Sequence, residues 1–104
     1  MGIRITCLDG AIGEAERTRA RQMAQTLAAT EGAPDVRVVL DRQRHEAYVE
    51  ILVRFPRGQV FLGEGRARTH EAALAAAAGH VESQWSRHRE RRLSGRRSAR
   101  TRES

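Results

Sequence analysis

Hydrophobic residues follow two different periods along this chain, and their order restricts the fold more than any other feature. Hydrophobic residues alternate with polar ones in four short runs that begin near residues 3, 36, 47 and 59. Such alternation is typical of strands with one buried face. Over about 14–30 and 69–92, the hydrophobic residues recur at helical spacing instead. Because short turns join the last three strands, we expect an antiparallel meander. The sequence therefore predicts an α+β domain of order β-α-β-β-β-α.

General rules for how strands and helices connect predict a topology from this order. A strand–helix–strand unit implies a right-handed crossover and a parallel first pair of strands. Both helices then cover one face of a four-stranded sheet, in an arrangement similar to double-stranded-RNA-binding domains. Gly63 and Gly65 interrupt the last strand and indicate a bulge or a close backbone approach. The predicted buried positions of the two helices are Ala20, Met23, Ala24 and Leu27, and then Leu74, Ala77, Ala78, Val81 and Trp85.

The positive charge is concentrated at one end. All 19 basic residues are arginine, and eight of them lie in residues 87–104 beside two glutamates, whereas residues 1–86 are neutral overall. A guanidinium group holds a phosphate through two parallel hydrogen bonds, so this cluster favours a polyanionic partner. Thr69 is expected to cap the start of the last helix, and Ser94 and Gly95 are expected to end it. We therefore predict a folded domain over 1–93 and a disordered Arg-rich tail over 94–104.

Several classes of protein are disfavoured by what the chain contains. One cysteine, Cys7, cannot form an internal disulfide and fits a reducing cytoplasm. No apolar run reaches the ~20 residues of a membrane span, and the first ten residues do not resemble a secretory signal. The four histidines lack metal-ligand spacing. We expect a cytoplasmic protein that is not an enzyme and has no cofactor, metal, membrane partner or small-molecule substrate.

A basic stripe on the last helix is the main candidate site. His80, Gln84, Arg87 and Arg91 lie at i, i+4, i+7 and i+11, and Arg89 extends this surface. Contact with about five phosphates gives a log–log salt slope of roughly −4 to −5 on a duplex-like ligand. The alternative is a solvated helix face with ion pairs, such as Glu82 with Arg87.

Two further features of the helices bear on nucleic-acid binding. Arg17 and Arg21 lie one turn apart on the first helix, so its outward face is expected to add to the basic surface. Trp85, the only tryptophan, has the aromatic face that a base needs for stacking. Its helical spacing with Leu74 and Val81 favours a core position instead.

Residues 60–91, VFLGEGRARTHEAALAAAAGHVESQWSRHRER, look like a family pattern of strand, Gly-Lys, Asp-x-Tyr-x-Ala-Ile and a helix that ends Lys-Leu-Glu-x-Gln-Leu-x-Lys-x-Lys. The runs Ile3-x-Ile5-Thr6 and Val36-x-Val38-Val39-Leu40 match as well. Over roughly residues 3–92, the chain resembles the ribosome hibernation-promoting factor family, also known as ribosomal subunit interface or sigma-factor modulation proteins.

The resemblance implies a function. Proteins of this family bind ribosomal RNA in the decoding channel of the small ribosomal subunit, block messenger and transfer RNA, and silence idle bacterial ribosomes in stationary phase or stress. It implies RNA contacts at the aligned residues of the last helix, and Arg17 and Arg66 also match basic positions of the family. The chain is expected to be a divergent short form, without the second domain of long members, and a monomer when it is off the ribosome.

Two other functions stay open. The family's basic positions in the first helix are occupied by Met23, Thr26 and Ala29, and its Asp and Tyr before the last helix are Thr69 and Glu71. These differences favour a protein-interaction regulator that no longer binds ribosomes. The similarity to double-stranded-RNA-binding domains favours a general binder of structured RNA.

Overall fold

The computed structural model describes the backbone of residues 2–103 and the side chains of residues 2–91. Six elements follow one another in the predicted order, which confirms the α+β fold. They are β1 (Ile3–Cys7), α1 (Glu14–Ala28), β2 (Asp35–Gln43), β3 (Glu46–Arg54), β4 (Val60–Ala67) and α2 (His70–Glu103). No helix in the described part of the chain is both long and apolar enough to cross a membrane.

The four strands form one sheet in the order β1-β2-β3-β4. β1 runs parallel to β2, with Ile5 opposite Val38, and the other two pairs are antiparallel. The predicted parallel pair and meander are therefore confirmed. The β2–β3 turn is tight, because only Arg44 and His45 lie between the strands. Both have positive φ, 51° and 69°, as in the two-residue turns that suit the twist of a hairpin.

The hydrophobic core lies between the sheet and both helices. Four alternate residues of β3, which are Ala47, Val49, Ile51 and Val53, are completely buried. The helices contribute Ala20, Ala24 and Leu27 from α1, and Ala73, Leu74, Ala77, Ala78 and Val81 from α2. Met23 and Trp85 pack against this cluster while partly exposed. The two predicted apolar stripes are thus the faces that the helices bury.

Two glycines of β4 allow α2 to lie directly on the sheet. A Cβ atom added to Gly63 would overlap the carbonyl oxygen of Ala77, and one added to Gly65 would overlap that of Ala73. The sequence predicted a bulge or a close approach here, and the structure has the close approach. Helix backbone and strand backbone meet with no side chain between them, so larger residues cannot replace these glycines without moving α2.

The start of α2 is where the sequence predicts it, and its end is not. Thr69 caps the start as predicted, because its Oγ1 accepts a hydrogen bond of 3.2 Å from the Ala72 N–H. The helix does not end at Ser94 and Gly95 but continues to Glu103. The side chains of residues 92–103 lie outside the described residues. The division into a domain over 1–93 and a disordered tail over 94–104 stays a prediction.

Candidate nucleic-acid interface

Two predicted site residues of α2 bind the backbone of the neighbouring strand. The Nδ1 atom of His80 lies 2.7 Å from the carbonyl oxygen of Glu64. The amide of Gln84 donates to the Leu62 carbonyl at 2.6 Å and accepts from the Leu62 N–H at 3.2 Å. β4 is an edge strand, so these backbone groups have no strand to pair with. His80 and Gln84 therefore close the edge of the sheet, and their assignment as RNA contacts stays a prediction.

The same edge has a third contact that the sequence analysis missed. His88 lies one further turn along α2, and its Nε2 atom is 3.0 Å from the side-chain nitrogen of Gln59, just before β4. We call His80, Gln84 and His88 the edge ladder. Their spacing of four residues puts them on one face of the helix. The spacing is visible in the sequence, but the strand edge that it faces is not.

Three arginines near the last residue of the edge ladder are exposed on α2: Arg87, Arg89 and Arg91. We call them the terminal arginines. Arg87 donates a long bond of 3.4 Å to the Ser83 carbonyl, one turn earlier. Within residues 2–91 none of the three forms an ion pair with a carboxylate, and the alternative pairing of Glu82 with Arg87 is not observed. Their charge is available to a phosphate without the loss of an existing ion pair.

The basic residues of α1 lie near the opposite end of α2. Arg17 and Arg21 are exposed on α1. Arg19, between them, forms an ion pair with Glu71 in the first turn of α2. Sixteen residues of helix separate Glu71 from Arg87, a rise of about 24 Å. The α1 and α2 arginines therefore do not form one compact patch, and a ligand that contacts both must be extended.

Arg66 lies on the other face of the sheet. It is opposite Tyr48 in the β3–β4 register, and its guanidinium carbon is 5.0 Å from the centre of the Tyr48 ring. The Tyr48 hydroxyl donates to Glu50 at 3.0 Å. Burial and this hydrogen bond raise the pKa of Tyr48 to about 12. The structure thus separates Arg66 from the helical residues with which it was grouped, because alternate residues of a strand point to opposite faces.

Trp85 joins an aromatic cluster at the end of the core. Its ring lies 5.2 Å from that of Phe55 in an edge contact and 6.3 Å from that of Phe61, nearly parallel. Half-buried there, Trp85 packs against the core as its spacing predicted. Arg89 lies over the same ring, with its guanidinium carbon 5.5 Å from the ring centre. One terminal arginine is therefore held beside an aromatic surface.

Comparisons with known proteins find solved structures that are similar to this one. No family model and no curated protein matches the sequence. A ribosomal subunit interface protein from Coxiella burnetii superposes with a TM-score of 0.73 at 14% identity, over 86% of this chain and 99% of that one. The N-terminal domain of Protein Y from Thermus thermophilus superposes with a TM-score of 0.68 at 26% identity, over 84% of this chain and 98% of that one.

Both similarities extend over most of the chain, as the sequence resemblance does. The Coxiella burnetii protein shows the shared fold, and the Thermus thermophilus domain adds sequence identity to it. The element order, the parallel first pair and the terminal helix also fit the resemblance seen in the sequence. The resemblance to the ribosome hibernation-promoting factor family is therefore supported by the structure as well as by the sequence.

Proposed function

We propose that this protein binds ribosomal RNA of the small ribosomal subunit in the decoding channel and blocks messenger and transfer RNA. The similarity to a ribosomal subunit interface protein supports a ribosome-associated role. The observation that carries the proposal is the placement of the terminal arginines. They are exposed, have no carboxylate partner among the described residues, and lie on a helix that the edge ladder and the β4 glycines hold against the sheet.

The mechanism is steric and electrostatic. Arg87, Arg89 and Arg91 hold phosphates, and the folded domain occupies the space that messenger and transfer RNA need. Phosphate contacts carry no sequence information, so the shape of the channel must supply the specificity, as it does for much structured RNA. A rigid α2 limits the entropy lost on binding. This function needs no catalytic group, cofactor or small-molecule substrate, and we propose that the free protein is a monomer.

Place and timing belong to the same proposal. A factor that binds ribosomes acts in the cytoplasm, here of a bacterium. Silencing of idle subunits serves stationary phase or stress, when messenger RNA is scarce. The role predicts that the protein sediments with small subunits from stationary-phase lysate and dissociates at high salt, because phosphate contacts weaken as salt rises.

A competition experiment separates this function from its alternatives. Purified small subunits are incubated with the protein, either empty or loaded with messenger and transfer RNA, and then sedimented. We expect the protein to sediment with empty subunits and to be displaced by the loaded state. Equal sedimentation with both states would contradict occupancy of the decoding channel.

The same assay, with added ligands, identifies the other two functions. A general binder of structured RNA would be removed from subunits by excess RNA duplex, whereas a channel-specific protein would stay bound. A protein-interaction regulator would not sediment with subunits and would retain its partner after nuclease treatment. Either result would replace the proposal.

A further inference from the structure

A cleft lies between the exposed half of α2, the turn that joins β3 to β4, and the loop that joins α1 to β2. Trp85 and Phe55 form its aromatic wall, with His88 beside them. Arg57, in the turn, and Arg89, on the helix, stand at its rim. The α1–β2 loop contributes Thr30, Glu31 and Gly32 to the opposite side.

The aromatic wall is held in place before any ligand arrives. Phe55 contacts the Trp85 ring edge-on and Phe61 lies nearly parallel to it, so the indole cannot turn without disturbing the core. Trp85 is nevertheless only half-buried. No hydrogen bond from its indole N–H occurs among the described residues. An aromatic surface of fixed orientation thus lines the cleft, beneath the side chain of Arg89.

The rim carries charge that the cleft does not neutralise. Arg57 and Arg89 are exposed, and neither forms an ion pair within the described part of the chain. Glu31 lines the cleft without pairing with either of them. Flat aromatic rings attract other π systems, guanidinium groups attract phosphate, and a carboxylate accepts hydrogen bonds from amino groups. A nucleotide combines all three of these chemical features.

We propose that this cleft binds one unpaired nucleotide of RNA, with its base stacked on Trp85 and its phosphate held by Arg57. Arg89, whose guanidinium carbon lies 5.5 Å from the centre of the indole ring, moves outward to admit the base and holds a neighbouring phosphate. The inference rests on the proposed function and adds a ligand to it. The surface at the end of α2 then takes an unstacked base, whereas the terminal arginines by themselves contact only phosphates.

Fluorescence tests this directly, because Trp85 is the only tryptophan of the chain. The full chain is titrated with a tetra-adenylate RNA labelled for anisotropy, and tryptophan emission is recorded in the same samples. Ribose 5-phosphate, which has the sugar and phosphate but no base, serves as the control ligand. We expect saturable quenching by the RNA that follows the anisotropy, and no quenching by ribose 5-phosphate. Anisotropy that rises without quenching, or no binding of the RNA, would overturn the inference.

Variants show which side chains hold the nucleotide. Arg57→Gln is expected to weaken the RNA affinity obtained from quenching by about fivefold or more. Arg4→Gln removes a guanidinium from the other sheet face and is expected to leave this affinity unchanged. Trp85→Phe keeps an aromatic ring and is expected to bind the labelled RNA more tightly than Trp85→Leu does, by about fivefold or more. Equal RNA affinity in the two Trp85 variants would overturn the inference, and circular dichroism of both checks that α2 is retained.

Failure of this inference and failure of the proposed function give different results. If the protein sediments with empty small subunits but the tetra-adenylate leaves Trp85 emission unchanged, the ribosomal role holds and the nucleotide site is overturned. If the RNA quenches Trp85 but subunits do not retain the protein, the nucleotide site holds and the decoding-channel function is overturned.

Discussion

The two halves of the described part of α2 differ in what they contact. From His70 to Val81 the helix presses small residues onto β4, with the carbonyls of Ala73 and Ala77 against two glycines. From residue 82 to 91 it carries exposed arginines without carboxylate partners among the described residues. The edge ladder spans the boundary between the halves. One half fixes where the helix lies, and the other presents charge from that fixed position.

The largest expected effect comes from filling the close approach in the first half. Gly65→Ala places a methyl group against the carbonyl of Ala73, and we expect it to reduce the free energy of unfolding by about 3 kcal/mol or prevent folding. Gly79→Ala is the matched control, because nothing lies within 4 Å of its added Cβ. Better helix propensity is expected to stabilise that variant by about 0.5–1 kcal/mol. Urea denaturation measures both, and equal effects would refute the close packing of this half.

Breaking the edge ladder should reduce the free energy of unfolding by a smaller amount. Gln84→Ala removes both hydrogen bonds to Leu62 and leaves the β4 edge to water, so we expect a loss of about 1–2 kcal/mol in unfolding free energy. Gln25→Ala, an exposed glutamine of α1, should change stability by less than about 0.5 kcal/mol. Hydrogen exchange of the Leu62 amide should accelerate in Gln84→Ala alone. An unchanged rate would show that the ladder does not close the edge.

Removal of the Thr69 cap tests how much the first turn of α2 contributes to stability. Thr69→Ala removes the acceptor of the Ala72 N–H and is expected to cost about 1 kcal/mol in thermal or urea unfolding. Thr18→Ala, on the exposed face of α1, is the comparison variant and should be near neutral. A cost as large as that of Gly65→Ala would mean that the cap, rather than the glycine contact, anchors this half.

The smallest effect on stability is expected in the charged half. Arg87→Gln together with Arg91→Gln removes no ion pair of the described part and should alter unfolding free energy by less than about 0.5 kcal/mol. The same variant should reduce the salt slope of small-subunit binding by about 2, since each lost phosphate contact contributes about 0.9. Marked destabilisation with an unchanged slope would reverse the roles assigned to the two halves.

Much of the fold could be predicted because hydrophobic period and turn residues are local signals. The order of elements, the parallel first pair, the Thr69 cap and the close approach at Gly63 and Gly65 were all correct. The length of α2 was not, because Ser94 and Gly95 disfavour a helix only weakly and the neighbouring arginines favour one.

Contacts across elements were harder to predict, since a sequence shows which face a residue occupies but not what lies opposite. Gln84 and His80 looked like part of a ligand-binding stripe and instead bind the β4 backbone. Arg19 was not singled out, yet it joins the two helices through Glu71. Arg66 matched the family's basic positions but lies on the far face of the sheet. Within residues 2–91, Arg17, Arg21 and the terminal arginines are exposed, as the charge pattern predicted, and none of them forms an ion pair with a carboxylate.

The most direct measurement compares small-subunit binding of two charge-reversed proteins with that of the unaltered chain at moderate salt. One reverses the terminal arginines, Arg87→Glu, Arg89→Glu and Arg91→Glu. The other reverses three exposed arginines of the opposite sheet face, Arg4→Glu, Arg37→Glu and Arg54→Glu, so that the net charges are equal. We predict that the first protein is released from sedimenting subunits and that the second is retained. Retention of the first, or equal release of both, would contradict the account.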